Sequence, residues 1–451
     1  MLLNSACVVI GTGNPFTVDL GGDEGSGGGS VSCSFPDAAF EGGSGTALDP
    51  YLICNAYHFS NIQYNLSASF LLINNIDFQS ASIVPITGDF SGMLDGSGFT
   101  LKNATLSPAA SVSDDWGLFA HINGGTIQNL TLDNIVVSSS SAIGYTGSLA
   151  GHMEGAGSLM NIHVIHGYVH AVGTSSISAA TGGVVGCSQS VTGVIDSISF
   201  DGVVEGLTNT GGIIGFNNGA TLTNMSSFGT ISGRNQVGGV VGFGFGGTQT
   251  YQNLQNYSNI SCTGSYCAGI LGRGNSSSTI VAYSKNFGNI SADIGTALSV
   301  GGLIGSLAGG TLDQSFSSAN VSGYSGVGGA VGSSSGSISN SYAHGTINGD
   351  SSVGGLVGSS TSAITNSYTD AIVSGTGTDI GPFIGASSLS GTDYTTDYWV
   401  EGRGGFVSAS DGWRANMTPE ANMATQATFV GWDFTSIWGI SAGFPVLRVT
   451  P

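Results

Sequence analysis

The fold is decided by the stretch Gly354-Gly355-Leu356-Val357-Gly358, because its pattern of glycines around an apolar pair recurs along the chain. Two further copies read Gly182-Gly183-Val184-Val185-Gly186 and Gly328-Gly329-Ala330-Val331-Gly332. The glycines that close the phrase, two degenerate copies included, are spaced 26 to 35 residues apart: Gly151, Gly186, Gly215, Gly242, Gly272, Gly305, Gly332, Gly358 and Gly385. A repeat of this period indicates stacked structural units with loops of variable length.

Each unit has a second half, in which a polar turn leads into a short alternating strand that ends in an aromatic residue. The aromatic residues in this position are predicted to stack on one another: Phe200, Phe228, Tyr257, Phe287, Phe316, Tyr342 and Tyr368. Three short strands in about 27 residues fit one coil of a parallel β-solenoid, with coils ~4.8 Å apart. We therefore predict an all-β parallel β-helix of about nine to twelve coils. Its glycines would occupy corners that need a positive φ or a close approach between coils.

The composition agrees with strands and tight turns and excludes several classes of protein. Of 451 residues, 77 are glycine, which disfavours long helices. Lys and Arg total 7 against 27 Asp and Glu, so the net charge is −20. Nucleic acid is a poor partner for such a chain, because phosphate binding needs clustered cations. No transmembrane segment is predicted, because no apolar run reaches about 18 residues.

The sequence divides into four segments. A solenoid needs a cap at each end, because exposed strand edges otherwise pair with other chains. The predicted segments are an export or anchor remnant with a Gly-rich tether at 1–34, an N-terminal cap with the first coils at 35–115, the repeats at 116–392 and a C-terminal cap with a Trp-rich plug at 393–451.

Local patterns predict a short helix in each cap. In the N-terminal cap, Ala56, Phe59, Ile62 and Leu66 have helical spacing. In the C-terminal cap, Thr418-Pro419-Glu420 is a helix start, with a capping Thr and a Pro in the first turn. Four of the five tryptophans are expected to form an apolar plug over the last coil: Trp399, Trp413, Trp432 and Trp438.

The phrase at 354–358, together with Asn366-Ser367-Tyr368, resembles the GLUG-motif repeat of bacterial surface and secreted proteins. The leader Asp49-Pro50-Tyr51-Leu52-Ile53 and the closing segment 429–448 resemble the flanks of such arrays. The resemblance covers about residues 40–450. It implies a right-handed parallel β-helix on the cell surface, often part of adhesin-like proteins, and it offers no catalytic residues to carry over.

The first residues of the chain suggest export. The start Met1-Leu2-Leu3-Asn4-Ser5-Ala6-Cys7 resembles the end of a lipoprotein signal, in which Cys7 would carry the lipid. The protein would then be anchored at the bacterial outer membrane. The alternative is that Cys7 is an ordinary cysteine, because the basic region and most of the apolar region of a signal are absent.

The other cysteines form two candidate pairs. Cys33 could bond to Cys54 within the cap, and Cys262 could bond to Cys267 across a small loop between coils. Cys187 is then odd and is expected to be buried. Such disulfides would imply an oxidising, exported setting, although the sequence alone does not establish the connectivity.

Carboxylates and histidines are the candidates for chemistry. Glycan cleavage by a β-helix needs paired carboxylates, or a carboxylate-bound cation with a Lys or Arg base. Asp196 and Asp201 lie in one coil, Asp293 and Asp313 are scattered, and all four are interpreted as solvated turn residues. The histidine cluster comprises His163, His166 and His170, with His152 nearby. On one strand His166 and His170 would lie ~13 Å apart, too far to share a metal unless the chain turns at Gly167. No cofactor, metal or catalytic residue is predicted.

The sequence therefore predicts an exported cell-surface adhesin or interaction protein, in which a rigid β-helix presents binding loops to an unknown glycan or protein. The candidate loops are the insertions at 152–180 and 289–300, since loops on a rigid scaffold usually carry recognition. One alternative is a carbohydrate-active β-helix enzyme, a polysaccharide lyase or hydrolase. A second alternative is a structural component of a surface layer or fibre.

Overall fold

A computed structural model describes residues 32–106, 115–139, 144–171, 179–389, 394–403 and 415–448. The chain divides into Met1–Val31, which contains Cys7 and lies outside the described residues, and Ser32–Pro451, which contains the folded coils. The structure is 57% strand and 4% helix, and its parallel coils stack into a β-solenoid of about 10 turns. The predicted all-β solenoid of nine to twelve coils is confirmed.

Each coil contributes strands to up to three parallel sheets, which run along the solenoid. Within the described residues, one sheet has eleven strands: Ile86–Phe90, Phe119–Asn123, Ala150–Glu154, Val185–Gln189, Ile214–Asn218, Val241–Phe245, Leu271–Asn275, Ile304–Leu307, Val331–Ser334, Val357–Ser360 and Ile384–Ser387. A second sheet has nine described strands: Tyr145–Thr146, Ala180–Gly182, Thr208–Gly211, Asn235–Gly238, Cys267–Ala268, Leu298–Gly301, Ser325–Gly328, Ser351–Gly354 and Ile380–Gly381.

The third sheet, called the long sheet below, takes one long strand from each early coil and several short strands from each later coil. Its described strands number twenty-five: Tyr51–Ile53, Ser69–Leu72, Ile76–Ser82, Met93–Asp95, Thr100–Leu106, Thr126–Ser139, Ser158–Ala171, Ile195–Glu205, Leu222–Gly233, Gln249–Asn256, Asn259–Cys262, Thr279–Ala282, Lys285–Asn286, Ile290–Ala292, Thr311–Asp313, Phe316–Ser317, Val321–Ser322, Ser337–Ser339, Tyr342–Ala343, Thr346–Gly349, Ile364–Thr365, Tyr368–Thr369, Ile372–Gly375, Tyr398–Val400 and Asn416–Thr418. Apolar side chains from all three sheets fill the interior.

The glycine phrases lie where the nine-stranded sheet passes into the eleven-stranded sheet, and they stack in columns. The first residues of successive phrases are ladder partners: Gly182, Gly211, Gly238, Ala268, Gly301, Gly328, Gly354 and Gly381. A Cβ on Gly328 would overlap the carbonyl oxygen of Val331. The closing glycines, such as Gly332, do not have a positive φ. Close backbone approach, and not left-handed conformation, therefore requires glycine at these corners.

Asparagine takes most of the left-handed positions of the long sheet. One column of residues with positive φ crosses nine coils: Asn129, Asn161, Ser197, Asn224, Asn253, Tyr283, Gln314, Asn340 and Asn366. Asn is among the few non-glycine residues that adopt this conformation readily, because its short polar side chain forms local hydrogen bonds. The sequence pattern predicted glycine at the tight corners and did not indicate that Asn forms a second set of them.

Partly buried aspartates brace several of these corners. Asp95 Oδ1 accepts a hydrogen bond from Asn129 in the next coil at 3.1 Å, and Asp313 Oδ1 accepts one from Asn340 at 2.8 Å. Asp196 is partly buried and accepts hydrogen bonds from Thr223, Asn224 and Ser197, which lower the pKa of its carboxyl against the effect of burial. These carboxylates therefore serve the packing of neighbouring coils.

A buried column of hydroxyl groups runs beside the aromatic residues. The backbone N–H of each serine donates to the side-chain oxygen one coil further, through Ser284, Ser315, Ser341 and Ser367. The column ends at Asp397, whose Oδ1 accepts from the N–H of Ser367 at 2.8 Å. Burial raises the pKa of Asp397 to about 8. The last member of the column is thus a carboxyl group that favours its protonated form.

The N-terminal cap contains less helix than predicted. An α-helix, Ala56–Ser60, continues as a 3-10 helix, Asn61–Tyr64, so Leu66 lies beyond the helical end. The Asn55 side chain caps the helix by accepting a hydrogen bond from the N–H of His58 at 2.9 Å. The predicted single helix was therefore wrong in extent, although Phe59 and Ile62 face the core as its spacing required.

The C-terminal helix prediction was also wrong in kind. Thr418 ends the strand Asn416–Thr418, and only a short 3-10 helix, Glu420–Ala424, follows Pro419, with no side-chain cap. A second 3-10 helix, Gln426–Thr428, leads towards an antiparallel hairpin with the strands Trp438–Ser441 and Phe444–Leu447.

Within the described residues no helix has the length and apolar character needed to cross a membrane.

Candidate functional site

The predicted aromatic stack consists of two columns that are offset along the strand. In the first column Phe228 stacks on Tyr257 with ring centroids 4.8 Å apart, and Tyr257 stacks on Phe287 at 4.9 Å. In the second column Phe316 stacks on Tyr342 at 4.8 Å, and Tyr342 stacks on Tyr368 at 5.1 Å. The ladder continues to a further ring at the next coil: Tyr398.

The offset arises because Phe316 is the ladder partner of Lys285, two residues before Phe287. Phe287 and Phe316 still touch, with their rings at 85° and their centroids 5.5 Å apart. A single period in the sequence could not show this change of register, because the loops between copies also vary in length.

Phe200 does not belong to either column, so its assignment to the stack was wrong. Its ladder partner is Ser227, whereas Phe228 is paired with Asp201. Successive residues of a strand point to opposite faces, and Phe200 points inwards, where it is fully buried. A shift of one residue thus moves an aromatic side chain from the outer surface to the core.

The C-terminal segment covers the second column from outside. Trp438 lies 6.0 Å from the ring of Tyr342 and 6.2 Å from that of Tyr368. Trp432 and Phe429 pack on the ring of Tyr398. The tryptophans therefore cover the side of the last coils instead of plugging the end. Trp399 is in the inner core, and Trp413 lies outside the described residues.

The first column remains open to solvent. Phe228 is 38% exposed, Tyr257 42% and Phe287 41%, whereas Tyr342 and Tyr368 are buried. The faces of these rings are largely used by the stack, so their edges form a continuous apolar strip across three coils. Exposed aromatic residues arranged in a row on a rigid scaffold are typical of a binding surface. We call Phe228, Tyr257 and Phe287 the aromatic strip.

A cavity of about 230 Å³ lies beside the second column, near the end of the aromatic strip. Its lining includes three aromatic residues, two cations and an amide: Tyr283, Phe316, Tyr342, Lys285, Arg448 and Gln314. Arg448 is fixed by hydrogen bonds from its guanidinium to the carbonyls of Trp438 and Phe434, at 2.8 and 2.9 Å. Lys285 has no salt-bridge partner among the described residues.

This pair of cations is unusual in a chain with only 7 Lys and Arg residues and a net charge of −20. Two of these seven residues, separated by more than 160 positions in the sequence, line one small cavity. A cavity with aromatic walls and fixed positive charge can bind a carboxylate or another anion next to an apolar group. This cavity could not be predicted from the sequence, because the hairpin that precedes Arg448 packs on coils that are distant in the chain.

A second aromatic cluster occupies the eleven-stranded sheet. Phe216 packs on Phe243 with centroids 5.5 Å apart, and Phe245 is 45% exposed. The guanidinium of Arg273 lies 4.8 Å from the ring centroid of Tyr266. This cluster lies on another sheet than the aromatic strip and serves below as a comparison for it.

The predicted binding loops are smaller than expected. Most of 152–180 is strand, because Ala150–Glu154 and Ser158–Ala171 pair with both neighbouring coils. Residues 172–178 lie outside the described residues. In 289–300 only the turn at 293–297 separates the strands Ile290–Ala292 and Leu298–Gly301. The insertions thus lengthen strands as well as loops, and spacing alone could not separate the two.

The predicted histidine cluster does not converge on one point. His163 is hydrogen-bonded to Ser199, His166 to Asp133 and His170 to Glu205, each at 2.7 or 2.8 Å. His152 belongs elsewhere, because it is the ladder partner of His121 in the preceding coil. His121 was not predicted as a partner, although the period of the repeat places it one coil before His152. Asp201 is paired with Phe228 on the outer face, and Asp293 caps its own turn through the N–H of Gly295.

Both candidate disulfides are present. Cys33 is bonded to Cys54, with Cα atoms 5.9 Å apart. This bond joins the beginning of the described chain to the residue that directly follows the first strand, Tyr51–Ile53. Cys262 is bonded to Cys267, with Cα atoms 6.5 Å apart, and closes the turn from the long sheet to the nine-stranded sheet. Cys187 is free and fully buried, and this burial raises the pKa of its thiol.

No protein-family model and no curated protein matches the sequence. Among solved structures, the chain is similar to one described as a "putative immunoglobulin A1 protease" from Bacteroides ovatus, at 17% sequence identity and a TM-score of 0.27. The alignment covers 91% of this chain and 96% of that chain.

Proposed function

We propose that this protein is an exported, non-catalytic interaction protein of the cell surface, and that it binds carbohydrate carrying carboxylate groups. The observation that carries the proposal is the aromatic strip, which is exposed and ends beside the cavity that holds Lys285 and Arg448. The exposed parts of the aromatic rings offer apolar contact area to the C–H groups of sugar rings, and nearby cations select a carboxylate.

Further features support an exported protein with a binding surface. The two disulfides fit an oxidising compartment. The start of the chain, with Cys7, resembles a lipoprotein signal, and the glycine phrases resemble the GLUG repeats of surface proteins. The stack of parallel coils is a rigid scaffold, so it can hold the aromatic strip at fixed spacing.

The test is binding of the full chain to an array of oligosaccharides that contain uronic acid, together with their neutral counterparts. Tyr257→Ala should weaken binding about tenfold, which corresponds to ~1.4 kcal/mol. Lys285→Gln should weaken binding to the acidic sugars only and should reduce its dependence on salt, because it removes a charge contact. Phe245→Ala is the matched control, since Phe245 is equally exposed on another sheet.

Binding that is equal in the wild type, Tyr257→Ala and Lys285→Gln would contradict this assignment of the surface. Release of sugar products from the bound oligosaccharides, followed by chromatography, would favour the enzyme alternative. End-to-end filaments of the purified protein in electron micrographs, without sugar binding, would favour a structural layer or fibre.

A further inference from the structure

Two histidines from neighbouring coils lie face to face on the eleven-stranded sheet, far from the aromatic strip. His121 and His152 are ladder partners, and their rings stack with centroids 4.6 Å apart at an angle of 11°. Glu154 follows His152 by two residues and therefore points to the same side of the sheet. The parallel ladder fixes the backbone of all three residues, so their side chains start from defined positions.

The atoms that face one another in this group lack hydrogen-bond partners. Nε2 of His121 and Nε2 of His152 are both buried, and neither has a partner among the described residues. A carboxylate oxygen of Glu154 lies 3.5 Å from Nε2 of His121, and the three atoms lie within 4.8 Å of one another. Buried nitrogen atoms without partners are rare in proteins, and one common reason is a bound ion.

The surroundings orient the two rings. A carboxylate oxygen of Asp89, in the coil before His121, lies 2.7 Å from Nδ1 of His121. This contact places the proton on Nδ1 and leaves the lone pair of Nε2 directed towards His152 and Glu154. The ring of Tyr145 also contacts His152, with centroids 5.2 Å apart.

We propose that His121, His152 and Glu154 bind one divalent transition-metal ion of the zinc type, through the two Nε2 atoms and the carboxylate. Two imidazoles and one carboxylate suit zinc better than calcium or magnesium, which prefer oxygen ligands. Zinc bonds are about 2.0–2.1 Å long, so small rotations of the side chains must draw the three atoms together. No metal was predicted from the sequence, because His152 lies near His163, His166 and His170 in the chain but near His121 in the fold.

The arrangement has the parts that protein zinc sites share. Asp89 contacts Nδ1 of His121, so that carboxylate, imidazole and metal would follow one another in a line. Such a carboxylate raises the basicity of the imidazole that binds the metal. Cys187 is the ladder partner of His152 in the following coil, but its thiol is engaged with Tyr145. Three protein ligands leave one position of a tetrahedral ion for water or for a group of another molecule. The ion would link two coils of the solenoid.

The test is equilibrium dialysis of the oxidised, tag-free full chain against zinc chloride, with the bound metal counted per chain. The wild type should bind one zinc ion, and the double variant His121→Gln/His152→Gln should lose at least 100-fold in affinity. Asp89→Asn should weaken binding ~10–100-fold, because it removes the carboxylate that supports His121 and leaves the three ligands in place. His166→Gln is the matched control, since that ring is exposed and lies outside the group.

The proposal would be overturned if the wild type bound zinc with a dissociation constant weaker than about 100 μM, which corresponds to a binding free energy of ~5.5 kcal/mol. It would also be overturned if the double variant bound zinc as tightly as the wild type. Thermal unfolding separates loss of the site from loss of the fold. Without metal, Glu154→Gln should unfold at the wild-type temperature, since the two side chains have nearly the same shape. Added zinc should raise the unfolding temperature of the wild type and of His166→Gln, but not of Glu154→Gln or the double variant. An equal shift in all four proteins would also overturn it.

Discussion

Tyr368 donates a hydrogen bond from its phenol to the carbonyl of Pro445, which lies 77 residues further along the chain, at 2.7 Å. Through this bond the C-terminal hairpin is fixed to the outer surface of a coil whose own aromatic ring it covers. The hydrophobic cluster beneath the hairpin includes Trp438 and Tyr342 and is separate from the core inside the coils.

Removal of a ring from this outer cluster should destabilise the last coils. We expect Trp438→Ala to lower the free energy of unfolding by about 3–5 kcal/mol, as for other buried tryptophans. Tyr368→Phe keeps the ring and loses only the hydrogen bond, so its cost should be near 1 kcal/mol. Denaturant unfolding measures both changes, and equal costs for the two variants would contradict the packing described.

Asp397 should make stability fall as pH rises. Burial raises the pKa of this carboxyl from 3.8 to about 8, so the folded protein keeps the proton over a range in which the unfolded chain releases it. The stabilisation is complete below about pH 4 and is lost as the pH rises towards 8, at up to ~1.4 kcal/mol per pH unit.

Asp397→Asn replaces the titratable carboxyl group with a neutral amide. The amide oxygen can still accept a hydrogen bond from the N–H of Ser367. We expect the variant to be more stable than the wild type at pH 8 and similar to it at pH 4. Denaturation midpoints across that range give the difference between the two proteins. Curves that run parallel over the whole range would show that Asp397 does not carry the effect.

The glycine column should not accept a methyl group. Gly328→Ala would force a Cβ into the carbonyl oxygen of Val331, and the coil would have to shift at a cost of about 1–3 kcal/mol or more. The control is Gly439→Ala in the hairpin, where the nearest atoms to a new Cβ are 3.9 Å away. Thermal unfolding should separate the two variants clearly, and similar unfolding temperatures would count against close approach at the corner.

The positive φ of the corner at Asn366 should decide which residues this position tolerates. Asn366 has a φ of 52°, which glycine adopts freely and β-branched residues do not. We expect Asn366→Gly to be nearly neutral and Asn366→Val to cost ~1–2 kcal/mol. If both variants unfold at the same denaturant concentration, the corner is not set by backbone conformation.

The sequence predicted the repeat well because each glycine phrase is a local pattern that must recur once per coil. Predictions failed where a one- or two-residue shift of register matters, as for Phe200 and for the change of column between Phe287 and Phe316. They failed again where distant segments meet, as for Lys285 with Arg448 and for His121 with His152. Such contacts depend on which coil each residue occupies. Because the loops vary in length, the coil cannot be identified from the position of the residue in the sequence.

The central claim is that successive repeats lie one above another in register. Phe216, Phe243, Arg273, Ser306, Ser333, Ser359 and Ala386 form one column of ladder partners. Spin labels on cysteines introduced at Phe216 and at Ser333, Ser359 or Ala386 would report distances along this column, in a Cys7→Ser/Cys187→Ser background that keeps only the two disulfides. Pulsed electron–electron double resonance should give distances that reflect backbone separations of about 19, 24 and 29 Å for the three pairs, in that order. These values rise by ~4.8 Å per coil. Distances that do not rise by one equal step per repeat would contradict the account.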